Sequence, residues 1–98
     1  MKIWLDDTRT APIGYEWCKS VNEAIGLINQ HIKGVISIEL IDFDHDAGDY
    51  QSDGGDYIKV MDYMEFMGLN IPVRIHTMNP VGRNNMLVIA RRNHWKIL

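Results

Sequence analysis

The stretch Val35–Asp49, VISIELIDFDHDAGD, decides the fold. Its first part, Val35 to Phe43, is apolar with too little polar alternation for a half-exposed strand, so it reads as a central strand of a parallel sheet. Its second part then falls where that strand ends. Asp44, His45 and Asp46 are delivered together at the carboxyl end, followed by Ala47, Gly48 and Asp49. A strand end crowded with carboxylates and one imidazole is either an acidic loop or a place where a cation is held and protons are moved.

The flanking segments favour the second reading. Upstream, Lys2 to Leu5 is a short β-branched and aromatic run ending in Asp6-Asp7, a second buried strand with two acids at its carboxyl end. TRTAPIG, containing Pro12 and Gly14, is a loop, and Tyr15 to Lys19 a short edge strand. Ser20 and Glu23 form an S-x-x-E capping box ahead of Val21, Ala24, Ile25, Ile28 and Ile32, the spacing of an amphipathic helix that Gly34 ends. Downstream, a helix is predicted over Asp56–Met67 with Tyr57, Val60, Met61, Met64 and Met67 on one face, the methionines filling the core. Ile71 to Ile75 gives another strand, ending in His76-Thr77. Asn79-Pro80 is the cap and first turn of a last helix through Met86, Ile89 and Ala90. Trp95 to Leu98 is an edge strand or a helical tail.

Strands alternating with helices imply right-handed crossovers and a parallel sheet. Ligands in such sheets bind at the carboxyl ends of the strands. Three of these strands end in Asp6-Asp7, Asp44-His45-Asp46 and His76-Thr77, so the chemistry converges on one edge.

Composition narrows the function classes. The 98 residues make one domain, 46% hydrophobic and 23% charged, with no apolar run approaching a membrane span. MKIWLDD acquires charge too early for a secretory signal. The lone Cys18 has no partner for a disulfide or a thiolate metal site, so a cytoplasmic setting is expected, with the thiol buried as a small apolar group. The net charge of −3 is unevenly spread: seven acids and no Lys or Arg lie between Glu39 and Asp56, and five basic residues and no acid from Phe66 to the end. Together the two stretches suit a phosphate-bearing ligand on a divalent cation. The basic tail of Arg91, Arg92 and Lys96 is short and gives weak grounds for nucleic-acid contact, and Trp95 reads as core.

Asp6, Asp7 and Asp44 are the metal candidates, because magnesium takes oxygen ligands from one or two carboxylates, water and substrate phosphate. Adding a histidine nitrogen would also admit manganese or zinc. His45 and His76 are the candidates for proton transfer, with Asp46 beside His45. Thr77, Asn79, Gly82 and Arg83 lie at the start of the last helix, where backbone N–H groups and a guanidinium can meet a phosphate, and Arg9 can do so from the opposite side. Asp49, beyond Gly48, suits a loop as well as a ligand role.

LDDTRTAP (Leu5–Pro12), FDHDAGD (Phe43–Asp49), GGD (Gly54–Asp56) and HTMNPVGRNNM (His76–Met86) together resemble the cyclic-phosphate processing receiver-like domain family, in the same order and over nearly the whole chain. The resemblance implies an α/β fold: a small flavodoxin-like, receiver-like three-layer sandwich on a mainly parallel sheet of four to five strands. It matches Asp6 and Asp7 to a receiver's metal-binding acidic pair, Asp44 to its phosphoacceptor and Thr77 to the Ser/Thr after its fourth strand. The segment after Asp7 is too short for the usual first receiver helix, and no Lys follows a clear fifth strand. Ala47 stands where the family pattern has Leu, and Gly55 where it has an aromatic residue. The implied activity is metal-dependent processing of a cyclic phosphate, at an RNA end or in a cyclic nucleotide. A receiver-like phosphoacceptor or binding module without catalysis is the alternative.

Overall fold

The computed structural model describes residues 1–98. Four strands and three helices follow in the order β1 (Lys2–Leu5), β2 (Tyr15–Cys18), α1 (Val21–Ile32), β3 (Leu40–Phe43), α2 (Ile58–Phe66), β4 (Val73–Ile75) and α3 (Pro80–Arg92), with a 3-10 turn at Gly48–Tyr50. The sheet is wholly parallel with strand order β2-β1-β3-β4. In the tail, Ile97 makes one parallel bridge to Val73, the remnant of a fifth strand.

Register decides which side chains share a face. Ile3 lies beside Ile41 and Ile41 beside Val73, while Leu5 lies beside Phe43 and Phe43 beside Ile75. All six are buried and pack in one cluster with Ala24, Ile28, Met61, Met64 and Met86 of the helices. Trp4, Asp42 and Arg74 are likewise side by side, but on the opposite face.

From β2 through α1 to β3, from β3 through α2 to β4, and from β4 through α3 to the tail, the chain advances in one direction across the sheet. Right-handed crossovers therefore put all three helices on the same face. Only the β1-to-β2 step runs the other way, and residues 6–14 between them hold no helix. The missing first helix is as expected. Its absence also corrects the layering: the sandwich has two layers instead of three, and one face of the sheet carries no helix.

The helix N-termini follow their sequence signals. Ser20 caps α1 by accepting from the Glu23 N–H at 3.1 Å, and Asn79 caps α3 by accepting from the Gly82 N–H at 3.1 Å ahead of Pro80. Boundaries differ more. Val35–Glu39 is not strand, because β1 begins at Lys2 and leaves that segment without a ladder partner. Its groups are used otherwise: the Glu39 N–H bonds the Met1 carbonyl, and the Ile38 N–H bonds His31 Nδ1 at 3.0 Å. Asp56 stands outside α2, since its carboxylate is spent on the Ala47 N–H and on Gln51. Met67, just past α2, is exposed, unlike Met61 and Met64. Cys18 is buried, which pushes its thiol up to about 12. No helix is long and apolar enough to cross a membrane.

Candidate functional site

At the carboxyl edge the chain has to turn away from each strand, and these turns place the polar groups. After β1, Asp6 Oδ1 accepts from the N–H groups of Thr8 and Arg9 at 3.0 and 2.9 Å, folding the loop back over its own strand. Asp6 is fully buried. Burial alone would raise its pKa, but the Arg9 and Thr8 amides and His76 outweigh it and hold the carboxyl below its ordinary value. The ionised form is thus favoured by the fold. That contribution is complete above the ordinary carboxyl range and is lost as the pH falls through the depressed value.

His76, just past β4, is held at both nitrogens. Nε2 lies 2.9 Å from Asp6 Oδ2 and Nδ1 lies 2.7 Å from Asp42 Oδ1, both acids being buried. The flat side of the ring stacks on Trp4 at 3.8 Å between centroids and 3° between planes. Asp42 Oδ2 is buried without a hydrogen-bond partner, with Arg74 Nε 3.8 Å away.

One ligand atom each from Asp6, Asp44 and His76 lie within 4.8 Å of one another. Two carboxylate oxygens and an imidazole nitrogen at such separations fit a divalent cation, and leave positions for water and a substrate oxygen. Asp7 is not in that group. Its pKa is raised by burial and by the nearby carboxylates of Asp6, Asp44 and Asp49, so it adds negative field instead. Asp7→Asn is expected to raise the melting temperature in chelator-treated neutral buffer by about 2–5 °C. A raised carboxyl is destabilised by ionisation, so the gain shrinks as the pH falls and Asp7 protonates. Thermal melts at two pH values check both parts.

A second group lies beside the first. His45 Nδ1 lies 2.8 Å from Asp46 Oδ1, and Asp46 Oδ2 is 3.5 Å from Asn79 Nδ2 at the start of α3. The His45 ring packs so closely on Gly82 that a Cβ there would overlap it. His45, Asp46 and Asp56 form another set of groups close enough for a metal. Gly48 matters in the same way: at φ +54°, its missing Cβ leaves room for the Asp7 carboxylate.

The phosphate candidates are spread around this edge. The Arg9 side chain is 46% exposed, with Nε 3.7 Å from Asp6 Oδ2 and Nη1 donating to the His76 carbonyl at 3.5 Å, which leaves Nη2 for an anion. Arg83 Nη1 donates to the Ile75 carbonyl at 2.6 Å, Thr77 Oγ1 accepts from the Asn79 N–H, and the Gly82 N–H is already taken by the Asn79 cap. The sequence assigned no role in the site to Asp42, Trp4 or Asp56. Period-two alternation places Asp42 on the side of the sheet that Trp4 occupies, but nothing local says that His76 covers it.

No curated protein and no solved structure gives a significant match to the chain. The family model described as the cyclic-phosphate processing receiver domain matches residues 1–92. The receiver-like strand order and the acidic edge agree with that match, and the chain belongs to the cyclic-phosphate processing receiver domain family.

Proposed function

We propose that this domain hydrolyses a cyclic phosphodiester, with His45 as the proton-transferring group. The observation that carries the reading is the His45–Asp46 pair beside the Asp6, Asp44 and His76 donors. With Nδ1 turned to Asp46, Nε2 is the nitrogen left for water or for the leaving oxygen. Asp46 fixes the ring's orientation, and Gly82 lets the ring sit against the first turn of α3.

Asp6, Asp44 and His76 are the residues that would hold a divalent metal, which would polarise the phosphate and offset its charge. Arg9 supports phosphate binding from the loop after β1. In the overall step water adds to phosphorus, one ring P–O bond breaks, and the proton lost by water ends on the released oxygen. The product is an open phosphomonoester with a neighbouring hydroxyl.

The test is turnover of 2′,3′- and 3′,5′-cyclic nucleotides across magnesium, manganese and zinc, with product resolved by chromatography. Ring opening that needs metal and His45 is expected. A folded protein that opens no cyclic phosphate with any of these metals would falsify the reading. Loading of Asp44 by acetyl phosphate, seen as one added phosphoryl mass, would favour the phosphoacceptor alternative.

A further inference from the structure

From the side of the sheet that carries no helix we infer that it is a stacking platform for single-stranded RNA, which deepens the proposed function and rests on it for the choice of RNA. Three aromatic side chains share this face. Trp4 is beside Trp17 in register, and Lys2 beside Tyr15. The Trp4 and Tyr15 rings meet edge to face at 5.9 Å. All three rings are only partly buried. The indole N–H groups are already satisfied within the protein, Trp4 by the Arg9 carbonyl at 2.9 Å and Trp17 by the Asp6 carbonyl at 2.7 Å. The indoles are thus pinned at their edges; His76 covers one face of Trp4 and Lys19 stands over Trp17, so what the rings offer a ligand is their remaining π surface.

Charge decides the occupant. Lys2 Nζ stands 5.6 Å from the Tyr15 centroid and Lys19 Nζ 4.5 Å from the Trp17 centroid. Arg74 and Arg9 border the same face, 58% and 46% exposed. The acids on this face, Asp42 and Asp6, are buried against His76, while Glu16 is in register with Ile3 and belongs to the other side. Four cations therefore border three rings on a protein of net charge −3, Lys2 and Lys19 with no acid within 4 Å and Arg9 and Arg74 at the edge of the buried Asp6 and Asp42. An apolar protein partner would have to desolvate those cations without acids to pair them. A nucleic-acid strand supplies both complements, phosphates for the cations and bases for the rings. Of the cyclic phosphates that the proposed chemistry covers, the one borne at a strand's end is the 2′,3′-cyclic phosphate, which requires a 2′-hydroxyl, so RNA is the strand. The platform is also continuous with the site: Trp4 stacks on His76, so a chain lying across the strands would bring its end to Asp6, His76 and Arg9.

The experiment is fluorescence anisotropy of a short labelled single-stranded RNA ending in an ordinary 3′-hydroxyl, so that binding is read without turnover. The wild-type protein is expected to bind it, with affinity falling as salt rises and with quenching of tryptophan emission. Trp17→Ala is expected to weaken binding about tenfold or more, as loss of one stacked base does. Lys2→Glu and Lys19→Glu, surface changes that leave the core intact, are expected to weaken it and flatten the salt dependence. No binding, equal binding by these variants, or preference for duplex RNA would overturn the platform. Opening of a small cyclic phosphate that carries no base is measured alongside. If that is opened while RNA is not bound, the platform alone fails; if RNA is bound and no cyclic phosphate is opened, the hydrolysis reading alone fails.

Discussion

Replacing His76 with alanine is expected to destabilise the fold by about 3–5 kcal/mol, the cost of leaving buried charges uncompensated. The ring bridges Asp6 and Asp42, which are 0% and 1% exposed, at 2.9 and 2.7 Å. Without it, two carboxylates face one another across the space that the imidazole filled, and Trp4 loses its stacking partner. Domains of this size hold about 5–15 kcal/mol in total, so the variant would lie near the edge of folding. Urea denaturation of His76→Ala and of His76→Ala with Asp42→Asn distinguishes the cause. If buried charge is responsible, removing one carboxylate recovers a substantial part of the loss. A double variant no more stable than the single one would point to packing instead. Loss of activity in His76→Ala therefore cannot be separated from loss of folding, and a test of its chemistry needs His76→Gln, which keeps a donor between the acids.

This coupling shows where the sequence was legible. The convergence of Asp6, Asp44 and His76 followed from three apolar runs each ending in polar residues, because a parallel sheet aligns the carboxyl ends of its strands whatever its other details. Ser20 and Asn79 were equally readable, since capping is a local contact between residues three apart. Residues 35–39 were misread because an apolar run does not by itself report ladder pairing: Val35 is exposed, and β3 pairs with β1 only from Leu40 onward. Asp42 was passed over for a related reason. A carboxylate inside a strand is tolerated there only because His76, Trp4 and Arg74 from other strands cover it, and no local pattern records such a contact. The layering depended on topology: a single helix-free connection, residues 6–14, decides whether the second face of the sheet is covered.

His45→Ala is expected to lower the rate of cyclic-phosphate opening by about 10²–10⁴-fold while the protein remains folded. Its side chain is 16% exposed and spans no pair of buried charges, so the structural cost is small beside that of His76. Asp46 is 64% exposed, and its part is to orient the ring; Asp46→Asn should give a smaller fall that follows the ring's tautomer. Gly82→Ala is the stricter test. It removes no chemical group, yet its Cβ would overlap the His45 ring and force it off the first turn of α3. If His45 acts from its observed position, Gly82→Ala loses activity to nearly the extent of His45→Ala, with a lowered melting temperature from the same overlap but a protein still folded at the assay temperature. Full activity in Gly82→Ala would mean that the ring works from elsewhere, and full activity in His45→Ala would move the proton transfer to another residue. Steady-state rates at saturating substrate, set against thermal melts of each variant, separate these outcomes.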